Sequence, residues 1–222
     1  MRRFLRNNGL SLVIATLFAL MMVGQAETGR HQYNQQRADQ GQPAVSMGAY
    51  LSTGHFWEAT AENWESEFLQ MAAYVVLTAV LYQRGSAESR DPGRREAVDR
   101  NPRRARHRRN APWPVRRGGW VLSLYQHSLS LAFLLLFLTC IAIHAVGGMR
   151  AWNEEHVARG EAAMSLLQYV EGAQFWFESL QNWQSEFLAL LSMIVLSIFL
   201  RQRGSPESKP VDAPHSATGS DS

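Results

Sequence analysis

Apolar residues in this chain gather into four runs separated by polar segments. Leu10 to Ala26 is uncharged over about 17 residues, near the lower limit for a helix that crosses a hydrocarbon core of about 30 Å. Phe68 to Tyr82 and Phe187 to Leu200 are shorter, and each reaches spanning length only with the preceding turn that begins at Trp64 or Trp183. Trp120 to Val146 holds the strongest run, LSLAFLLLFLTCIAIHAV. The pattern therefore predicts transmembrane helices at about 10–26, 64–82, 122–146 and 183–200.

The start of the chain also fits a secretory signal. Arg2, Arg3 and Arg6 precede the apolar run, and Gly24-Gln25-Ala26 resembles a cleavage site. Removal of residues 1–26 would leave three spans in the same orientation. An internal repeat weighs against that reading, because it pairs the first run with one that cannot be a leader. Shifting the chain by 119 residues lays Leu10–Ser89 on Leu129–Ser208 without a gap, with 29 of 80 positions identical. The best blocks are NWESEFL over NWQSEFL, Gln83-Arg84-Gly85-Ser86 over Gln202-Arg203-Gly204-Ser205, and Phe56-Trp57 over Phe175-Trp176.

A unit with two spans returns to the side it started from, so two such units are parallel repeats about an axis along the membrane normal. The expected fold is an all-α membrane protein: four transmembrane helices as two parallel two-helix repeats with helical extracytoplasmic caps. Residues 1–89 form the first repeat, 90–119 an Arg-rich disordered cytoplasmic linker, 120–208 the second repeat and 209–222 a disordered tail.

Composition alters this picture little, but charge orients it. The mean hydropathy of −0.22 looks soluble only because it averages apolar runs with segments rich in Arg, Gln and Glu. Of 22 basic residues, 12 lie between Arg84 and Arg117, whereas each of the two other long loops holds only two, Arg30 and Arg37 or Arg150 and Arg159. The excess of positive charge on cytoplasmic loops therefore puts both termini and the central loop inside.

The two outer loops have equal length, which argues for folded caps over drifting linkers. Tyr50, Trp57 and Trp64 recur at steps of seven, as do Tyr169, Trp176 and Trp183 in the helical-looking stretch Glu161–Trp183. Aromatics of this kind belong to an interfacial belt at head-group level; the sharper alternative is an aromatic-lined ligand cleft. In the central loop Arg103, Arg104, Arg106, Arg108 and Arg109 make a run suited to anionic lipid head groups, with nucleic acid the weaker partner.

Glu67 and Glu186 occupy equivalent places at the outer ends of the second and fourth spans, each one helical turn after Asn63 or Asn182. A pseudo-two-fold axis could bring the carboxylates together as an ion or proton site. The plainer reading is a hydrated carboxylate at a helix start. His144, within the third run, pairs with Gln25 across the repeat and suits a polar interhelical contact. No histidine spacing suggests a metal site, and neither a phosphate-binding loop nor a nucleophile elbow is present. The lone Cys140 excludes an intrachain disulfide. No catalytic residue, metal or cofactor is expected, and the chain does not read as an enzyme.

The two starts ending in Leu-Ser-Leu, the repeated NW-x-SEFL blocks and the QRGS-x-ES endings resemble a bacterial family of small four-helix membrane proteins described only as a domain of unknown function. The resemblance covers nearly the whole chain outside the arginine loop and tail. It implies a multi-pass protein of the bacterial inner membrane and assigns no functional residue. The leading expectation is a non-enzymatic structural or interaction module embedded in the lipid bilayer, with a homo-oligomer or a membrane-protein partner. The alternatives are a small transporter or channel for an ion or small solute at the repeat interface, and a membrane-tethered binder of anionic lipid or nucleic acid.

Overall fold

Helix α1 (Arg2–Asp39) carries the first apolar run directly into polar sequence, because no glycine or proline strong enough to end it occurs before Gly41. In the computed structural model, which describes residues 2–219, it is followed by α2 (Met47–Tyr50), α3 (Gly54–Val80), two short 3-10 turns (Ala97–Asp99 and Pro102–Ala105), α4 (Trp113–Arg117), α5 (Gly119–Gln126), α6 (Ser128–Ala158), α7 (Leu166–Glu171) and α8 (Ala173–Phe199). No strand occurs among the described residues.

Three helices are long and apolar enough to cross a membrane: α1, α6 and α8. The expected second span lies in α3, which falls short because Asn63, Glu65, Glu67 and Gln70 dilute its apolar half. The most apolar window of α1 has none of its residues buried inside the protein. Leu10, for instance, is 79% exposed. Such a surface is stable in hydrocarbon and not in water.

The chain divides into two compact units. The first comprises residues 1–61 and 142–176, the second 62–141 and 177–222. In the first unit α1 and α6 end alike. Gly41 and Gly160 take φ of +70° and +83°, and the amide of the residue after each glycine, Gln42 or Glu161, bonds back to Arg37 O or His156 O. This double-bonded ending needs a left-handed residue, hence glycine. Asn34 then clamps the returning chain by donating to Val45 O at 3.1 Å and accepting from Val45 N at 2.8 Å. Asn153 does the same to Met164, at 3.0 and 2.8 Å. Ser46 and Ser165 cap α2 and α7.

These short helices deliver Tyr50 and Tyr169 into the unit, each only 2% exposed. Tyr50 packs edge-on against Phe56 at 5.7 Å, and Tyr169 against Phe175 at 5.9 Å. Each tyrosine hydroxyl lies against a helix glycine: a Cβ on Gly29 would stand 2.3 Å from Tyr50 Oη, and one on Gly148 2.1 Å from Tyr169 Oη. Gly54 and Gly147 bring α3 and α6 still closer, because a Cβ on Gly54 would meet Gly147 O at 2.6 Å.

The second unit is tied by polar contacts. Gln70 Nε2 donates to Glu186 O at 2.6 Å, and the Ser86 and Ser197 hydroxyls meet at 2.9 Å. The two QRGS-x-ES segments form the same turn. Gly85 and Gly204 take φ of +87° and +85°, Ser89 accepts from Gln83 N at 2.8 Å, and Ser208 accepts from Gln202 N at 2.9 Å. The tail was expected to be disordered, yet residues 209–219 form turns around Lys209, the only lysine in the chain. Its buried ammonium donates to Gly85 O, His215 O and Ala217 O at 2.5, 3.0 and 2.9 Å. Burial, aided by nearby Arg201, pushes this ammonium below its ordinary pKa. Tail residues 220–222 lie outside the described residues. The expected linker 90–119 is likewise placed in turns, the two 3-10 segments and α4.

Because a buried ring has little room to withdraw, Gly29→Ala and Gly148→Ala should each destabilise the protein by about 1–3 kcal/mol, the usual cost of overpacking. Tyr50→Phe removes the clashing oxygen and should restore part of the loss in Gly29→Ala but none in Gly148→Ala. Thermal unfolding in detergent of the single and double variants measures this, and equal effects of Tyr50→Phe on both backgrounds would refute the contact.

Candidate functional site

The strongest candidate is a carboxylate inside the second unit. Glu65 is 0% exposed and lies on the stripe Ala61, Glu65, Ala72 of α3, all three buried, at spacings that keep residues on one helix face. Ser179 Oγ donates to Glu65 Oε1 at 2.9 Å and Trp183 Nε1 to the same oxygen at 3.2 Å, both from α8. Two donors from α8 thus converge on one carboxylate oxygen. One turn away, Asn182 Nδ2 donates to Glu62 Oε1, and it also donates to Glu178 O at 3.3 Å.

The residues singled out in the sequence distribute around this centre. Glu67 is exposed and Glu186 half-buried, and the two are near enough for their charges to interact. Asn63 is exposed, whereas Asn182 faces α3 through Glu62. Glu65 fills the variable position of the NW-x-SEFL block, where the other block has Gln184, so the shared motif does not single it out. Its signal was the small-residue face it shares with Ala61 and Ala72.

The aromatic series does not form one helical stripe. Residues 51–53 interrupt it between Tyr50 and Trp57, and Gly172 interrupts it between Tyr169 and Trp176, so each tyrosine sits on a short helix of its own. Tyr50 and Tyr169 are core residues; Trp57 and Trp176 are exposed; Trp64 and Trp183 are half-buried. Arg103, Arg104, Arg106, Arg108 and Arg109 are all exposed.

The first unit contains a polar cleft of about 540 Å³ lined by Tyr33, Arg37, His55, Glu58, Trp152, Glu154 and His156, among others, and by none of the seven-step aromatics. Tyr33 Oη donates to Glu154 Oε2 at 2.9 Å, and burial followed by this bond raises the Tyr33 pKa, so the group is a donor at neutral pH. Tyr169 Oη donates to Glu58 Oε1 at 3.3 Å. The Tyr50 hydroxyl and His55 Nδ1 are 3.1 Å apart. Trp152 stacks on His156 at 3.6 Å. Arg37 lies over the Tyr33 ring and donates to Pro43 O at 2.9 Å. The cleft's polar groups are thus largely bonded to one another. Among the described residues, no three His, Cys, Asp or Glu side chains come together as a metal site requires.

Fold and site define an all-helical protein with three helices long and apolar enough to cross a membrane. Residues 1–220 match the family model of a domain of unknown function (DUF6766), and the chain belongs to that family. Neither the curated proteins nor the solved structures contain a match to it.

His55 gives the cleft a pH dependence. Burial holds its pKa below the ordinary 6.5, and the opposing pull of Glu154 is the smaller effect. The unfolded chain therefore takes up the proton first as pH falls, so stability is full above about 6.5 and declines below it until folded His55 titrates too. Unfolding measured in detergent from about pH 7.5 to about pH 5 should show this decline, and His55→Gln should flatten it. An identical slope in the variant would remove His55 as its source.

Proposed function

We propose that the chain is a four-span protein of a bacterial inner membrane, built as two parallel two-helix repeats with both termini and the Arg-rich segment in the cytoplasm. In this reading it is a non-enzymatic structural or interaction module whose helical caps face outward, with a second copy or another membrane protein as partner. The observation that carries it is the same set of cap devices at positions 119 apart: Gly41 and Gly160, Asn34 and Asn153, Ser46 and Ser165, Tyr50 and Tyr169, Gly29 and Gly148. A cap built twice from these parts commits its polar side chains to holding the fold, which is the character of a scaffold. α3 serves as the fourth span, supported by its register with α8 and by the exposed Val76, Leu77 and Val80 near its end.

Topology is tested with single cysteines at exposed positions. A membrane-impermeant maleimide applied to intact cells should label Gln40→Cys and Arg159→Cys, and should reach Arg104→Cys only after permeabilisation. Labelling of Arg104→Cys in intact cells would overturn the orientation.

A second reading has its own observation. Glu65 is fully buried against α8, and ionisable groups within membrane helices often mark ion or proton paths. Proteoliposomes loaded with a pH-sensitive dye separate the two. The module reading expects proton leak equal to that of empty vesicles. A transporter or channel expects a flux that Glu65→Gln abolishes and that the pair Glu67→Gln with Glu186→Gln leaves largely intact.

A further inference from the structure

We propose that residues 102–120 form a basic, tryptophan-flanked foot that docks on the phosphodiester head groups of anionic lipids, in the leaflet from which α6 starts. This stretch, PRRARHRRNAPWPVRRGGW, contains seven arginines and no acidic residue. A flexible run of that composition would sample the solvent freely. The structure places it otherwise.

The turn Pro102–Ala105 packs on α4, and α4 packs on α5, which leads straight into the candidate span α6. Arg106 fastens the fold-back: its Nε donates to Arg116 O at 3.2 Å, and its guanidinium carbon lies 3.8 Å from where a Gly118 Cβ would stand. Gly118 and Gly119, at φ of +73° and +61°, make the bend between α4 and α5 with backbone that favours glycine. The arginines are therefore held at the root of a membrane helix. They are not suspended on a free tether.

The apolar groups of the segment fit the same surface. Val115 of α4 and Leu122 of α5 are buried, so each of the two short helices has one covered face. Trp113 and Trp120 point out instead, 60% and 77% exposed, joined by exposed Leu124 and Tyr125. Open water is a poor place for two indoles, whereas head-group depth is where tryptophan concentrates. Guanidinium groups bind phosphate oxygens through paired hydrogen bonds. The attraction of a basic juxtamembrane cluster to anionic lipid fades within about one Debye length of the surface, so a foot held at that level gains it and a dangling loop does not. A nucleic acid offers the same phosphodiester, but neither the exposed tryptophans nor the anchorage beside α6 is explained by it.

The test uses the full-length protein in nanodiscs of phosphatidylcholine alone or with phosphatidylglycerol. Limited trypsin cleavage after Arg103, Arg104, Arg106, Arg108 and Arg109 is followed by mass spectrometry, with cleavage at the exposed Arg159 as internal reference. Relative to that reference, the cluster should be cut about tenfold more slowly in anionic discs, and the protection should disappear at about 1 M salt. The triple variant Arg104→Gln, Arg108→Gln, Arg109→Gln keeps sites at Arg103 and Arg106, and their protection should shrink several-fold. Equal cleavage in both lipids overturns the proposal. So does protection in phosphatidylcholine discs on adding RNA, or equal protection by inorganic phosphate at matched ionic strength. The docking needs only α6 as a membrane helix, so it can fail while the four-span topology stands, and the reverse.

Discussion

The long helices depend on an unusual distribution of polarity: many of their large apolar side chains look outward while several polar ones are buried. Leucine, valine and methionine cover the outer surface of α1, while Thr60, Glu65, Ser66, Ser86, His144 and Ser179 are among the most buried residues of the chain. Water would penalise both halves of that arrangement. In hydrocarbon both become favourable, because the solvent no longer drives apolar groups together and association falls to close packing and internal hydrogen bonds. The glycine contacts follow directly. Where Gly54 meets Gly147 the two backbones approach within the space a methyl group would need, and dispersion between them takes over the part that apolar burial plays in a soluble core.

The same solvent explains why hydrogen bonds are duplicated so faithfully at equivalent positions. A helix end near a bilayer surface leaves carbonyl oxygens that must find donors. The glycine ending at Gly41 and Gly160, the asparagine clamp and the serine cap settle these needs within about a dozen residues, and they recur in both copies. Changes in the surrounding sequence are tolerated because these few groups set the path of the chain. The two QRGS-x-ES turns are equally closed, and the cation that follows each is used differently. Arg90 pairs with Asp99 and with carbonyls of α3, whereas Lys209 gathers the tail.

Much of the helical framework was legible because long apolar runs stand out: three of the four expected spans lie in helices long and apolar enough to cross a membrane. The cap boundaries were less so. A span and its flanking polar helix share one period, so nothing marks residue 26 or 146 as an end, and α1 and α6 run on to the first left-handed glycine. The aromatic steps of seven misled for the reverse reason: spacing cannot show that a break at 51–53 or at Gly172 intervenes. Lys209 lay in a segment with the composition of a disordered tail. Only three-dimensional proximity of Gly85, His215 and Ala217 carbonyls reveals why it is ordered.

Glu65 is fully buried, whereas Gln184, 119 residues further on, is exposed. At a buried position a carboxylate is a costlier choice than an amide, which could accept there without desolvating a charge. Its neighbours suit an acceptor: a hydroxyl and an indole N–H from α8 both donate to one oxygen. An indole N–H donates and never accepts, so at Trp183 a carboxylate oxygen is the better partner. Glu65, Ser179 and Trp183 therefore form one matched set across the α3–α8 contact.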